Sequence, residues 1–176
     1  QVVKAPPWRG PIAAYLFLGG LAGGCGMLSL GAQLTGRPAL RRNSRLVALG
    51  AVGLGTFALI EDLGRPERFL NMMRTIKVTS PMSLGTWVLG GFGTISGVLG
   101  AIEVDRMMGE KIPLGSLRGL VHGMETPLAL AQGALGPALA SYTGALLADT
   151  AVPTWAASRD HLSYLFVSSA SLAAGG

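Results

Sequence analysis

The stretch IEDLGRPERFL, residues 60–70, sets Glu61, Asp62, Arg65 and Arg68 directly behind a long apolar run. Two carboxylates at the C-terminal end of a helix oppose the negative end of its dipole, and burial near lipid penalises their charge further. Each therefore needs a cation or a proton. Arg65 lies three positions past Asp62, across a turn at Gly64, so the two read either as a structural ion pair or as a ligand-holding pair. Glu61 is rotated by about 100° from Asp62 around a helix, so it does not easily share that partner. Facing a helix bundle it would be a proton carrier, and facing headgroups a snorkelling surface residue. In SYTGALLAD, Tyr142 and Asp149 are seven positions apart and fall on nearly one helix face. There the phenol can donate a hydrogen bond to a carbonyl while the carboxylate relays a proton. The plainer alternative gives Tyr142 a neighbouring backbone group and pairs Asp149 with Arg159. The common chemistry is proton exchange beside a hydrogen-bond acceptor.

The elements that must position these groups are membrane helices. Of 176 residues only 13% are charged and 27 are glycine, about half the charged fraction of an ordinary soluble domain. Four stretches carry no charged residue or histidine: Gly10 to Gly36, Leu46 to Ile60, Val78 to Ile102 and Thr126 to Ala148. A bilayer core is crossed by roughly 20 residues, and a fifth uncharged run, Leu162 to Gly176, is about five short of that. The expected fold is an all-α integral membrane protein of four full spans and the start of a fifth, a single transmembrane domain cut within a helix. Its helices are expected at about 11–35, 46–61, 82–103, 126–148 and 162–176. Phe69, Met72, Met73 and Ile76 repeat at helical spacing and predict a short interfacial helix over about 67–77, with Ser80 and Pro81 opening the next span. The first run is too long for a signal-peptide core and is expected to remain in the membrane.

Alternating spans bring the start of the first helix, the end of the second, the start of the third, the end of the fourth and the start of the fifth to one surface. Tyr15, Glu61, Asp62, Arg65, Arg68, Trp87, Asp149, Arg159 and His161 lie there, with Tyr142 about two turns inside. The opposite surface has His122, Glu125 and a basic first loop. Gly19/Gly23, Gly20/Gly24 and Gly93/Gly97 are small-xxx-small pairs that let backbones approach in lipid. The net charge of +5 sits in short loops on both sides, not on one soluble face, which argues for membrane flanks and against a nucleic-acid partner. Those loops hold seven Lys or Arg on each side, which leaves the orientation open. Cys25 is the single cysteine, which excludes an intrachain disulfide and a multi-cysteine metal site within this chain. The only histidines, His122 and His161, belong to opposite surfaces, against a bis-histidine haem; no haem or metal is expected.

PIAAYLFLGGLAGG, DLGRPERFLNMMRTIKVTSPMSLGTWVLG and YTGALLADTAVPTW together resemble the NrfD-type membrane subunits, the family of the polysulfide reductase membrane subunit. The resemblance runs over essentially the whole chain. It implies about eight or more spans and a quinone or quinol site at one membrane face. It further implies an extrinsic iron–sulfur subunit leading to a catalytic subunit of the molybdopterin type, in the bacterial cytoplasmic (inner) membrane. On this sequence the quinone pocket would fall at Tyr15, Glu61, Asp62, Arg65, Tyr142 and His161, with Glu61 and Tyr142 moving protons. The quinone would be menaquinone or ubiquinone. Two other readings stay open: a structural anchor without a quinone site, and a proton-translocating module with a path through Glu61, Gln132, Glu125 and His122.

Overall fold

The computed structural model describes residues 10–63, 74, 81–109, 117–148 and 157–175. These residues form helices and turns with no strand among them: α1 (Gly10–Leu34), α2 (Pro38–Leu63), α3 (Pro81–Met107), α4 (Leu117–Gly123), α5 (Glu125–Ala148) and α6 (Arg159–Gly175). Four long helices form a ring in which α1 packs on α2, α2 on α3, α3 on α5 and α5 back on α1. The diagonal pairs do not touch through their backbones. The last helix, α6, lies outside this ring against α1 and α5.

The α1–α2 corner follows from its residues. Gly36 takes φ +66°, the Gly36 amide donates to Gln33 O (3.3 Å) and the Arg37 amide to Ala32 O (2.8 Å). That is a Schellman stop, which places the left-handed position on the residue that tolerates it. Pro38 then opens α2 with a preset φ and no amide to satisfy. A three-residue connection leaves α1 and α2 antiparallel neighbours.

Within lipid, apolar side chains gain little by moving from acyl chains to protein, so helices associate through close fit and polar contacts. Gly23 and Gly136 supply the fit between α1 and α5: a Cβ on Gly23 would lie 2.5 Å from Gly136 O, and one on Gly136 2.6 Å from Gly23 O. Gly26 accepts the Phe92 ring of α3, which a Cβ would meet at 2.9 Å. The Gly93/Gly97 pair is looser. A Cβ at Gly93 would meet only Val52, at 3.8 Å, and one at Gly97 nothing within 4 Å. In α3 the tight positions are Gly85 and Gly100, against Tyr142 and Leu49.

The span count differs from the expected four and a start. Among the described residues three helices are long and apolar enough to cross a membrane: Gly10–Leu34, Pro38–Asp62 and Ser83–Met107. α5 has the length, 24 residues or about 36 Å, but carries Glu125, Gln132 and several glycines. Its buried Glu125 and Gln132 find partners on α1, α2 and α3, which offsets what the residue pattern lacks in apolarity. α2 begins at Pro38 and not near Leu46, because its early arginines are absorbed by the bundle. Of the interfacial helix expected at about 67–77, only Arg74 is described, helical and exposed. Arg65, Arg68, Ser80 and Asp149 lie outside the described residues.

Candidate functional site

The tyrosine end is built from all four helices of the ring. Tyr15, in the second turn of α1, is 6% exposed and abuts α2 at Gly55, where a Cβ would sit 3.8 Å from the ring. Tyr142 of α5 is half-buried with its ring on Gly85 of α3, in the space a Cβ there would need. The two phenols are within electrostatic reach of each other. Glycine at 85 is thus what seats the Tyr142 ring, whereas Gly55 lies in ordinary contact with Tyr15. α6 enters beside them, and a Cβ on Gly144 would lie 2.8 Å from Ser163 N.

The other residues expected at this site surround the phenols less closely. Glu61 in the last turns of α2 is exposed and Asp62 half-buried. Glu61 extends an outward stripe of Val47, Gly50, Leu54 and Phe57, all exposed. His161, at the start of α6, is also exposed. Arg65, the expected partner of Asp62, lies outside the described residues.

The opposite end holds the densest polar network, whose carboxylate Glu103 was not among the expected residues. Arg45 of α2 is fully buried. Its Nη1 donates to Glu103 Oε1 of α3 at 2.8 Å and to Glu125 Oε1 of α5 at 2.7 Å. Its Nη2 donates to Gln33 of α1. One side chain thus ties all four ring helices. Arg41, one turn earlier on the same face, donates Nε to Glu103 at 2.9 Å, and Arg106 reaches both Glu125 and Glu103. Beside this cluster, Arg118 holds the fully buried Asp105 at 3.2 Å, with His122 Nε2 at 3.8 Å. The signals were the Arg41/Arg45 spacing of four and the carboxylates just past the α3 apolar run. The partners are too distant in sequence to be read as pairs.

Midway lies a third centre. Gln132 of α5 accepts from Ser29 Oγ of α1 (3.1 Å) and donates to Ser96 Oγ of α3 (2.8 Å), all three fully buried. Between it and the phenols, Ala22, Leu89, Phe92 and Leu139 close the interior with apolar side chains. His122 and His161 stand at opposite ends of α5, separated by its whole length. Among the described residues no group of three His, Cys, Asp or Glu side chains gathers as a metal site.

Such a helical ring with apolar outer faces and buried polar centres defines an all-α integral membrane protein. The protein belongs to the NrfD family, whose model, described as "Polysulphide reductase, NrfD", matches residues 2–175. It is similar to the C subunit of polysulfide reductase from Wolinella succinogenes, 27% identical over 149 residues. That match covers 80% of this chain and 47% of the relative, so the protein described here spans about half the relative's length. No solved structure matches it significantly.

Proposed function

We propose that the protein is the quinone- or quinol-interacting membrane subunit of a multisubunit respiratory oxidoreductase in the bacterial cytoplasmic (inner) membrane. The observation that carries this reading is the seating of Tyr15 and Tyr142 together, between helices, at the end where α2 finishes in Glu61 and Asp62. The residues fit the group: a quinone ring needs hydrogen-bond donors at its carbonyls, apolar surroundings and an acid in contact with water. Tyr15 and Tyr142 would donate, and the exposed Leu54 and Phe57 offer an apolar approach along α2. Exposed Glu61 would pass protons to and from water. The quinone supplies two-electron, two-proton chemistry. With one cysteine in the sequence, electrons are taken to come from an extrinsic iron–sulfur subunit, and through it a molybdopterin-type catalytic subunit. Membership in a family described by polysulphide reductase supports a redox complex of this kind.

The test is quinone-linked turnover per assembled complex in purified membranes. Glu61→Gln and Tyr142→Phe are expected to lower it, by about 10²-fold for a lost acid–base group, with subunit content unchanged. Unchanged turnover in both variants rejects the site.

A further inference from the structure

The arginine end carries more positive charge than its interior partners can neutralise. Its described residues include six arginines, Arg37, Arg41, Arg42, Arg45, Arg106 and Arg118, against three carboxylates, Glu103, Asp105 and Glu125. Within the buried cluster three guanidinium groups face two carboxylates, and Arg45 Nε has no hydrogen-bond partner. Arg37 and Arg42, at the α1–α2 corner, are exposed and have no carboxylate partner among the described residues. Arg42 donates only to Asn43 Oδ1, at 3.3 Å.

Apolar side chains crowd the same end. Leu34, Met107, Met108, Leu120 and Met124 are all exposed, next in sequence to Thr35, Arg106, Gly109, Gly119 and Glu125. Cationic groups with exposed apolar neighbours at the end of a span match the boundary between headgroups and acyl chains. There arginine stems lie along apolar surface and guanidinium groups reach phosphate.

We infer that this end of the bundle is a binding site for an anionic phospholipid, with Arg37 and Arg42 holding its phosphate and the Leu34, Met107, Met108, Leu120 and Met124 rim meeting its acyl chains. The lipid supplies the negative charge that the buried carboxylates do not. This site is at the opposite end from the phenols, so it stands independently of the quinone reading.

The experiment uses the full-length protein with its copurifying subunits. It is placed in nanodiscs of phosphatidylcholine alone or with phosphatidylglycerol, and retained lipid is read by native mass spectrometry alongside the thermal midpoint. Wild type is expected to retain phosphatidylglycerol preferentially and to melt at higher temperature in its presence. Arg37→Gln with Arg42→Gln leaves the buried network intact and is expected to weaken that preference by roughly fivefold per arginine removed. Equal retention of both lipids by wild type overturns the site, as does an unchanged preference in the double variant. Inorganic phosphate in phosphatidylcholine discs is the remaining arm. Stabilisation by it as large as that by phosphatidylglycerol overturns the lipid assignment in favour of a free-anion site.

Discussion

At one end of the ring Arg45 holds Glu103 and Glu125 at 2.8 and 2.7 Å with no exposure of its own; at the other, Tyr15 is buried against α2 and Tyr142 is seated on Gly85. The first arrangement is made of full charges, three guanidinium groups on two carboxylates, that bind helices together. The second is made of weak acids that keep donor capacity without a charge to desolvate. A buried ion cluster tolerates little removal, because each deleted member strands the others in low dielectric. A buried phenol can lose its oxygen and keep nearly all its packing. The two ends thus differ in kind: ion pairs hold helices together at one, and phenols lie between helices at the other.

The largest expected effect is from Arg45→Ala, which leaves Glu103 and Glu125 short of a cation and should cost about 3–5 kcal/mol. It is measured as loss of assembled protein and a lowered thermal midpoint in detergent. Pairing Arg45→Met with Glu125→Gln removes one charge of each sign. The double variant should lose less than the two single losses combined, by about 0.5–3 kcal/mol of coupling. Strict additivity would mean that the network is not one unit. Gln132→Leu, which frees Ser29 and Ser96, should cost about 1 kcal/mol, the scale of interhelical hydrogen bonds in membranes. Tyr15→Phe is expected to shift stability by less than about 0.5 kcal/mol while lowering quinone-linked turnover. A thermal shift as large as that of Arg45→Ala would erase the distinction between the ends.

Much of the architecture was readable from apolar runs, because a helix in lipid must hide its backbone and shows its length as uncharged sequence. The same rule failed at α2. Charge was read as the end of the membrane-facing segment, yet Arg41 and Arg45 are inside the helix and inside the bundle. Their partners lie 62 and 58 positions away at Glu103 and 80 away at Glu125, and no local spacing announces such pairs. α5 was legible in extent but not in apolarity, since Gln132 is hidden by Ser29 and Ser96. Tyr15 and Tyr142 were foreseeable as neighbours from alternation alone. Glu61 was not: a carboxylate at a helix end can face either way, and here it continues the outward stripe of Leu54 and Phe57. The glycine pattern misled in a similar manner. On α3, Gly93 and Gly97 have the right spacing, while the tight contacts of that helix fall at Gly85 and Gly100, where a partner side chain happens to need the room; on α1 the expected Gly23 is tight.

The separation of Arg45 from its carboxylates has a consequence for biogenesis. When Arg45 emerges from the ribosome, Glu103 is still 58 residues behind it and Glu125 80 behind. Of the partners Arg45 has in the finished bundle, the early hairpin can supply the neutral Gln33 side chain but neither carboxylate. Its final depth is reached only by joint settlement of the four segments, so a polypeptide stopped before Glu103 would leave a hairpin that cannot complete its own placement.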